Sequence, residues 1–260
     1  MYDPPELHAA NNAMWAAIGA RLGREGVKFP QSLTRGRSLE AIWSDPGLLL
    51  AQTCGYPLMT ILKGRVQVVA TPRYGAFGCD GPRHRGFVIV RRNDPATHVS
   101  DLRGRRCAVN DLASNTGMNL FRALIAPLSR GEAFFGAVTV TGSHAASADA
   151  VSAGAADVAA VDCVSFALLQ RLRPAMIRTL RVLAWTAPSP GLPLVTAAES
   201  DGATRAALCR ALADTAGDPS LREIRTELLL EGFDLLPLSS YESVLNLERS
   251  AFAQGYPILR

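Results

Sequence analysis

No stretch of the 260-residue chain approaches the ~20 consecutive apolar residues that a membrane-spanning helix needs. None of the five cysteines sits in a CxxC pair, which argues against a zinc ribbon or a thioredoxin-like site. No repeat of fixed period and no low-complexity tract occurs. The first residues, Met1-Tyr2-Asp3-Pro4-Pro5-Glu6, contain no basic region, no apolar core and no small-residue cleavage site, so the chain as written carries no secretory signal. Strong charge of one sign is also missing. Lys plus Arg is 27 and Asp plus Glu is 23, a net +4, too little and too scattered to imply nucleic acid. The basic runs Arg83-His84-Arg85 and Arg103 to Arg106 read as loop or surface charge.

What is present argues for a folded chain. A hydrophobic content of 48% excludes disorder and collagen-like classes. A chain of this length buries about 75% of its unfolded surface, as one large domain or two lobes. Leu7, Ala10, Met14, Ile18 and Leu22 recur every three or four residues, which predicts a helix over 6–24. Leu48 to Ala51 reads as a short buried strand or helix end. Val66 to Ala70 reads as a strand stopped by Thr71-Pro72, and Gly86 to Val90 as another. A clear alternation follows. Strands are expected at 105–110, 138–141, 157–162 and 180–185. Helices are expected at 117–126 (ended by Pro127), at 145–153 (capped by Ser143) and at 163–173 (ended by Pro174). This rhythm predicts parallel strands flanked by helices. Pro188-Ser189-Pro190-Gly191 marks a boundary. Beyond it come a strand at 192–197 and helices at 202–216, 220–230 and 239–253.

Three strand-to-helix turns carry polar groups, and in a parallel sheet such turns lie where ligands bind. Ser114-Asn115-Thr116-Gly117-Met118-Asn119 offers two hydroxyls, a glycine and the free N–H groups of a helix start. It reads either as an oxyanion cradle or as a plain helix cap. No lysine follows the glycine, so it is not a nucleotide P-loop. Thr141-Gly142-Ser143-His144 is the second turn, with His144 as an anion donor or a cap. Asp162 is the third, a helix cap or a group facing the same crevice. In Thr53-Cys54-Gly55-Tyr56-Pro57, Tyr56 could face a ligand or cover the core. Cys54 and Cys79 are glycine-flanked, and could pair as a disulfide in an oxidising compartment or remain free thiols. Cys107, Cys163 and Cys209 read as buried small hydrophobes. No metal-ligand cluster is legible, and neither a metal nor a cofactor is expected.

The motifs together resemble the phosphonate-binding type of periplasmic substrate-binding protein of ABC transporters. They are Gln52-Thr53-Cys54-Gly55-Tyr56-Pro57, Asp101-Leu102-Arg103-Gly104-Arg105, Ser114-Asn115-Thr116-Gly117, Gly142-Ser143-His144, Ala153-Gly154 and Asp157 to Asp162. The resemblance implies an α/β, two-lobed type 2 periplasmic-binding-protein architecture, with mixed, mostly parallel sheets flanked by helices and two crossover strands at a hinge. Lobe one would comprise residues 1–86 and 187–260, and lobe two residues 87–186. A small anionic or zwitterionic ligand would be held between the lobes, with hinge closure on binding. The resemblance places Tyr56, Ser114, Asn115, Thr116, Gly117, Ser143, His144 and Asp162 at the ligand. It also implies an ABC permease as partner, a monomer without nucleic-acid or membrane insertion, and the periplasm as location. Relatives begin with an apolar strand and an export leader. An upstream start or a trimmed chain is therefore expected, with a cytoplasmic location if Met1 is the genuine start. No Lys or Arg stands in the cradle, so ligand charge would have to be met by N–H dipoles and hydroxyls.

Two other roles share the fold. An enzyme of the cofactor-biosynthesis type could use Cys54 and His144 as nucleophile and base. A ligand sensor would pass its closed state to a partner protein.

Overall fold

The structure, a computed structural model, describes residues 2–260 and divides into two compact units. Met1, which the sequence reading assigns to lobe one, lies outside the described residues. The first unit comprises the chain up to Gly75, Asp80–Pro82 and Pro190–Ser240. The second comprises Ala76–Cys79, Arg83–Ser189 and Tyr241–Arg260.

The first unit is built on a four-stranded sheet in the order Ala51–Gln52, Leu194–Ala197, Val66–Tyr74, Leu230–Asp234, with every neighbouring pair antiparallel. The amphipathic segment read from the sequence forms the helix His8–Arg24, preceded by a short 3-10 turn at Pro5–Leu7. It packs on the helices Gly202–Gly217 and Arg222–Glu227. Ala10, Met14, Ile18 and Leu22 are buried on one side of it, as their spacing requires.

Two expectations fail here for identifiable reasons. The Val66–Tyr74 strand runs through Pro72 instead of stopping before it. Leu194 pairs with Ala70, and beyond that point only Leu230–Asp234 flanks the strand. Pro72 therefore sits where one side is an edge, the position in a sheet that tolerates a missing N–H. The Leu230–Asp234 strand itself is absent from the sequence reading. Its sequence, Leu-Glu-Gly-Phe-Asp, shows no β-branched residue and ends a segment read as helix.

The second unit holds a five-stranded sheet in the order Ala137–Val140, Arg106–Val109, Val158–Asp162, Gly86–Arg91, Leu180–Trp185. Parallel pairing is confined to the first three strands, and the last two join antiparallel. Two antiparallel pairs thus stand beside two parallel ones, where the strand-helix rhythm predicts parallel pairing. Val158 to Val161 and Phe87 to Val90 are buried without alternation. That is the signature of a sheet covered on both faces.

Two further details differ from the sequence expectations. The helix after Val109 begins as a π-turn at Asn115–Asn119, continues as Leu120–Ser129 and runs past Pro127. Pro127 is exposed and lies in the last turn. Its ring leaves the Ala123 carbonyl without the i+4 donor it would have in an unbroken ladder. Residues 241–260, expected with the first lobe, pack on the middle unit. Helix Glu242–Ala253 lies against Leu120–Ser129. The Asn119 amide donates to the Val244 carbonyl at 3.1 Å, and Phe134 N–H donates to the Arg260 carbonyl at 2.7 Å.

Candidate functional site

Arg106–Val109, Ala137–Val140 and Val158–Asp162 run parallel, so their following turns open on one edge of the second unit's sheet. Each turn leads into a helix, and the three polar motifs read from the sequence occupy these turns.

At the first turn, Ser114 is extended (φ −67°, ψ 136°) and its Oγ accepts the Gly117 N–H at 3.0 Å. The cap reading of Ser114 is thus realised, while its own hydroxyl hydrogen stays free to donate elsewhere. The N–H groups of Asn115 and Thr116 precede the first intrahelical bond. Asn115 turns its side chain to the scaffold: its amide donates to Ser189 Oγ at 2.9 Å and its Oδ1 accepts from Asn119. Asn119 in turn accepts from the buried Arg122 at 2.7 Å. This chain of bonds fixes the π-turn from behind, and single π-turns of this kind often mark functional sites.

Gly117 is required by space. A Cβ on it would lie 1.8 Å from Asn110 Oδ1 and 3.1 Å from His144 Cε1. Asn110 Oδ1 is buried and has no hydrogen-bond partner among the described residues.

At the second turn, Ser143 caps the helix His144–Ser152, its Oγ accepting the Ala146 N–H at 3.0 Å. Ser143 is exposed, whereas His144 reaches inward and places Nε2 3.3 Å from Thr116 Oγ1. The first and second turns therefore touch.

The third turn changes the sequence reading most. Asp162 Oδ1 accepts the Ser165 N–H at 2.9 Å, capping the helix Cys163–Leu172. Its Oδ2 lies 2.8 Å from Nδ1 of His84. Both carboxylate oxygens are engaged by the protein, so Asp162 serves as cap and ion-pair partner. His84, read as part of a surface basic run, is only 3% exposed. The cause is register: Gly86 pairs with Asp162, and the chain two residues earlier brings His84 against the carboxylate. Its other nitrogen, Nε2, is buried without a partner among the described residues.

Burial works against charge on all three titratable groups, yet they settle differently. Burial would lower the His84 pKa, but the hydrogen bond and charge of Asp162 overcome it and raise the value above normal. Burial would raise the Asp162 pKa, but His84, His144 and the Ser165 N–H hold it down at about 2. For His144 burial prevails and lowers the pKa, aided by the charge of His84 and opposed by Asp162 and the Ala160 carbonyl. The arrangement favours charge on the His84–Asp162 pair and disfavours it on the neighbouring His144. Protonated His84 has N–H groups at both nitrogens, and Nε2–H is the one left over.

The remaining expectations concern Tyr56 and the cysteines. Tyr56 belongs to the first unit, in the short helix Gly55–Met59, where its carbonyl accepts from Thr60. Cys54 is also in the first unit and buried. The possible Cys54–Cys79 disulfide is not formed, since all five cysteines are free thiols and Cys79 faces Cys163 at an Sγ···Sγ distance of 3.5 Å. Cys107 and Cys163 are buried as expected, and Cys209 is only partly so.

Two α/β units, one presenting a helix start lined with hydroxyl and imidazole groups, define the class of two-lobed solute-binding proteins. The family model for the phosphonate ABC transporter periplasmic substrate-binding protein matches residues 1–241, and the chain belongs to this family. It is a family of periplasmic solute-binding components of ABC transporters, not of enzymes.

Solved structures agree on the fold. A binding-protein component of an ABC phosphonate transporter from Pseudomonas aeruginosa is 15% identical with a TM-score of 0.76, covering 97% of this chain and 85% of that one. PhnD1 from Prochlorococcus marinus, solved with methylphosphonate, is 14% identical with a TM-score of 0.73, covering 93% of each chain. A Xanthomonas citri protein bound to ATP is 18% identical with a TM-score of 0.71, covering 95% of each. No curated protein is similar to the chain in sequence.

Proposed function

We propose that the chain binds a small phosphonate, phosphate or similar oxyanion at the Ser114–Gly117 turn and delivers it to the permease of an ABC transporter. The observation that carries this reading is the His84–Asp162 pair. Asp162 favours the protonated form of His84, and in that form the buried Nε2, unpartnered among the described residues, is a cationic donor where the sequence offered no Lys or Arg. Leaving such a donor unpaired costs about 1–3 kcal/mol, a cost that an anion accepting from it would remove. The N–H groups of Asn115 and Thr116, the hydroxyls of Ser114 and Thr116, and His144 are the further donors. Gly117 keeps the backbone open to close approach. Ser143 contributes through the cap that orients His144. Asp162 holds His84 and is not spare for a ligand's ammonium group, which favours a plain anion over an aminophosphonate or other zwitterion.

Thermal unfolding with a panel of methylphosphonate, 2-aminoethylphosphonate, phosphate, sulfonates and amino acids tests the reading. A ligand at a hundredfold excess over its Kd adds ~2.7 kcal/mol to stability, a plain upward shift of the midpoint. The expected responders are phosphonate or phosphate, with the aminoalkyl compound weaker. Replacing Thr116 by Val keeps the shape and removes the hydroxyl, and should weaken the response. A flat response to every anion, or an unchanged one in Thr116→Val, would count against the site.

A further inference from the structure

We infer that Cys79 and Cys163 are a disulfide-forming pair in the second unit, closing in the oxidising compartment where this family works. The inference does not depend on which ligand is bound. The two Sγ atoms are 3.5 Å apart, in van der Waals contact, and a disulfide of about 2.05 Å needs only that the sulfurs close by ~1.5 Å through side-chain rotation. A second observation is the backbone beneath them. Ala76–Cys79 is a tight turn, with Cys79 N–H donating to the Ala76 carbonyl at 2.9 Å. Within it Gly78 has φ +97°, and a Cβ there would lie 2.9 Å from Cys163 Cβ and 2.7 Å from Phe87 Cζ. Only glycine lets this turn press so closely on the start of the Cys163–Leu172 helix. The Cys163 N–H is tied to the Arg85 carbonyl at 3.0 Å, so the target is fixed on strand and helix alike.

The chemistry assigns the two cysteines different parts. Cys79 is partly exposed and can meet an oxidant, whereas Cys163 is fully buried. Contact with Cys79, burial and the neighbouring Asp162 charge all raise the Cys163 pKa and make it a poor first nucleophile. The Cys79 thiolate therefore attacks a disulfide oxidant, a protein dithiol oxidase or glutathione disulfide, and releases one thiol. Cys163 then attacks the mixed disulfide at Cys79, gives up its proton and expels the second thiol. Two thiols of the chain lose two protons and two electrons, and the oxidant's S–S bond becomes two S–H bonds. The bond would pin the Ala76–Cys79 turn to the residue next to Asp162, on the His84 side of the candidate site. The pair that spacing alone suggested for Cys79, namely Cys54, is replaced by one that contact selects.

The full chain, reduced and then incubated with glutathione disulfide, should be acid-quenched, denatured, alkylated and mapped by peptide mass. The expected result is a Cys79–Cys163 crosslink with a loss of 2 Da, so that three of the five thiols accept alkylating agent. The unfolding midpoint should rise on oxidation, since closing a long loop restricts the unfolded chain. In Cys163→Ser the same treatment should leave glutathione on Cys79, with no rise in midpoint. Five alkylatable thiols after oxidation would overturn the inference. So would glutathione persisting on Cys79 in the wild-type chain, or a crosslink of Cys79 to Cys54.

Discussion

Asp162 illustrates how one side chain can tie two elements together, capping one helix while pairing with a buried imidazole. Removing its charge leaves His84 buried beside a neutral amide, and breaking a buried pair on one side typically costs about 3–5 kcal/mol. Asp162→Asn is expected to lose stability of that order in urea unfolding, and a loss under about 1 kcal/mol would mean that the pair is not buried as described. Gly117→Ala makes a sharper steric test. Its Cβ would meet Asn110 Oδ1 at 1.8 Å, so overpacking should destabilise by about 1–3 kcal/mol. Asn110→Ala should restore much of that loss in the double variant, and simple additivity would show that the two do not meet. At this scale the caps formed by Ser114 and Asp162 and the meeting of the turns that carry Thr116 and His144 were legible, because polar residues at the ends of apolar strands stand out. The sequence concealed His84 within Arg83-His84-Arg85, since flanking charge suggests solvent while burial comes from a strand pairing distant in sequence.

Among the elements, strong periodicity specifies helices, whereas proline does not always end an element. The helix His8–Arg24 and the capped helix His144–Ser152 follow from their spacing and from Ser143. Pro72 reads as a strand stop but lies where only one neighbour strand flanks it, and Pro127 reads as a helix stop but is carried in the last turn at the expense of the Ala123 bond. A substitution probes the second. Pro127→Ala restores a helical donor and lowers the intrinsic helix cost, so it should stabilise by about 1 kcal/mol or more. A destabilised variant would show that the ring makes packing contacts worth more than the lost bond. The Leu230–Asp234 strand could not be read, because its pairing with Tyr74, Arg73, Pro72 and Thr71 supplies the order its own sequence does not specify. Likewise the switch from parallel to antiparallel within the second sheet depends on connections that hydrophobic pattern does not encode.

Taken as a whole molecule, the two-unit α/β organisation was legible from the strand-helix rhythm and from the family resemblance. The membership of residues 241–260 was not, because Asn119 and Arg122 hold this segment to the second unit by donating to the Val244 and Pro257 carbonyls, which its sequence does not signal. The buried charges also give the whole chain a characteristic pH profile. His84 has a raised pKa when folded, so its contribution is complete below its unfolded value of about 6.5 and fades as pH rises through the folded value. Asp162 has a depressed pKa, so its contribution is complete above about 3.9 and is lost as pH falls toward about 2. His144, also depressed, contributes fully above about 6.5 and less as pH falls below that. Urea midpoints measured across pH should decline on the alkaline side of neutrality, and His84→Gln should flatten that decline. An alkaline limb identical in the variant would assign it to other groups.

Calorimetric titration of the wild-type chain and of His84→Gln with methylphosphonate near pH 6.5 tests the central claim most directly. A charge-assisted hydrogen bond of about 1.5–3 kcal/mol corresponds to roughly a 10- to 150-fold change in affinity. The account predicts one site per chain and a loss of that size in the variant. Equal affinity in the two proteins, or no binding heat in the wild type at any accessible concentration, would contradict it.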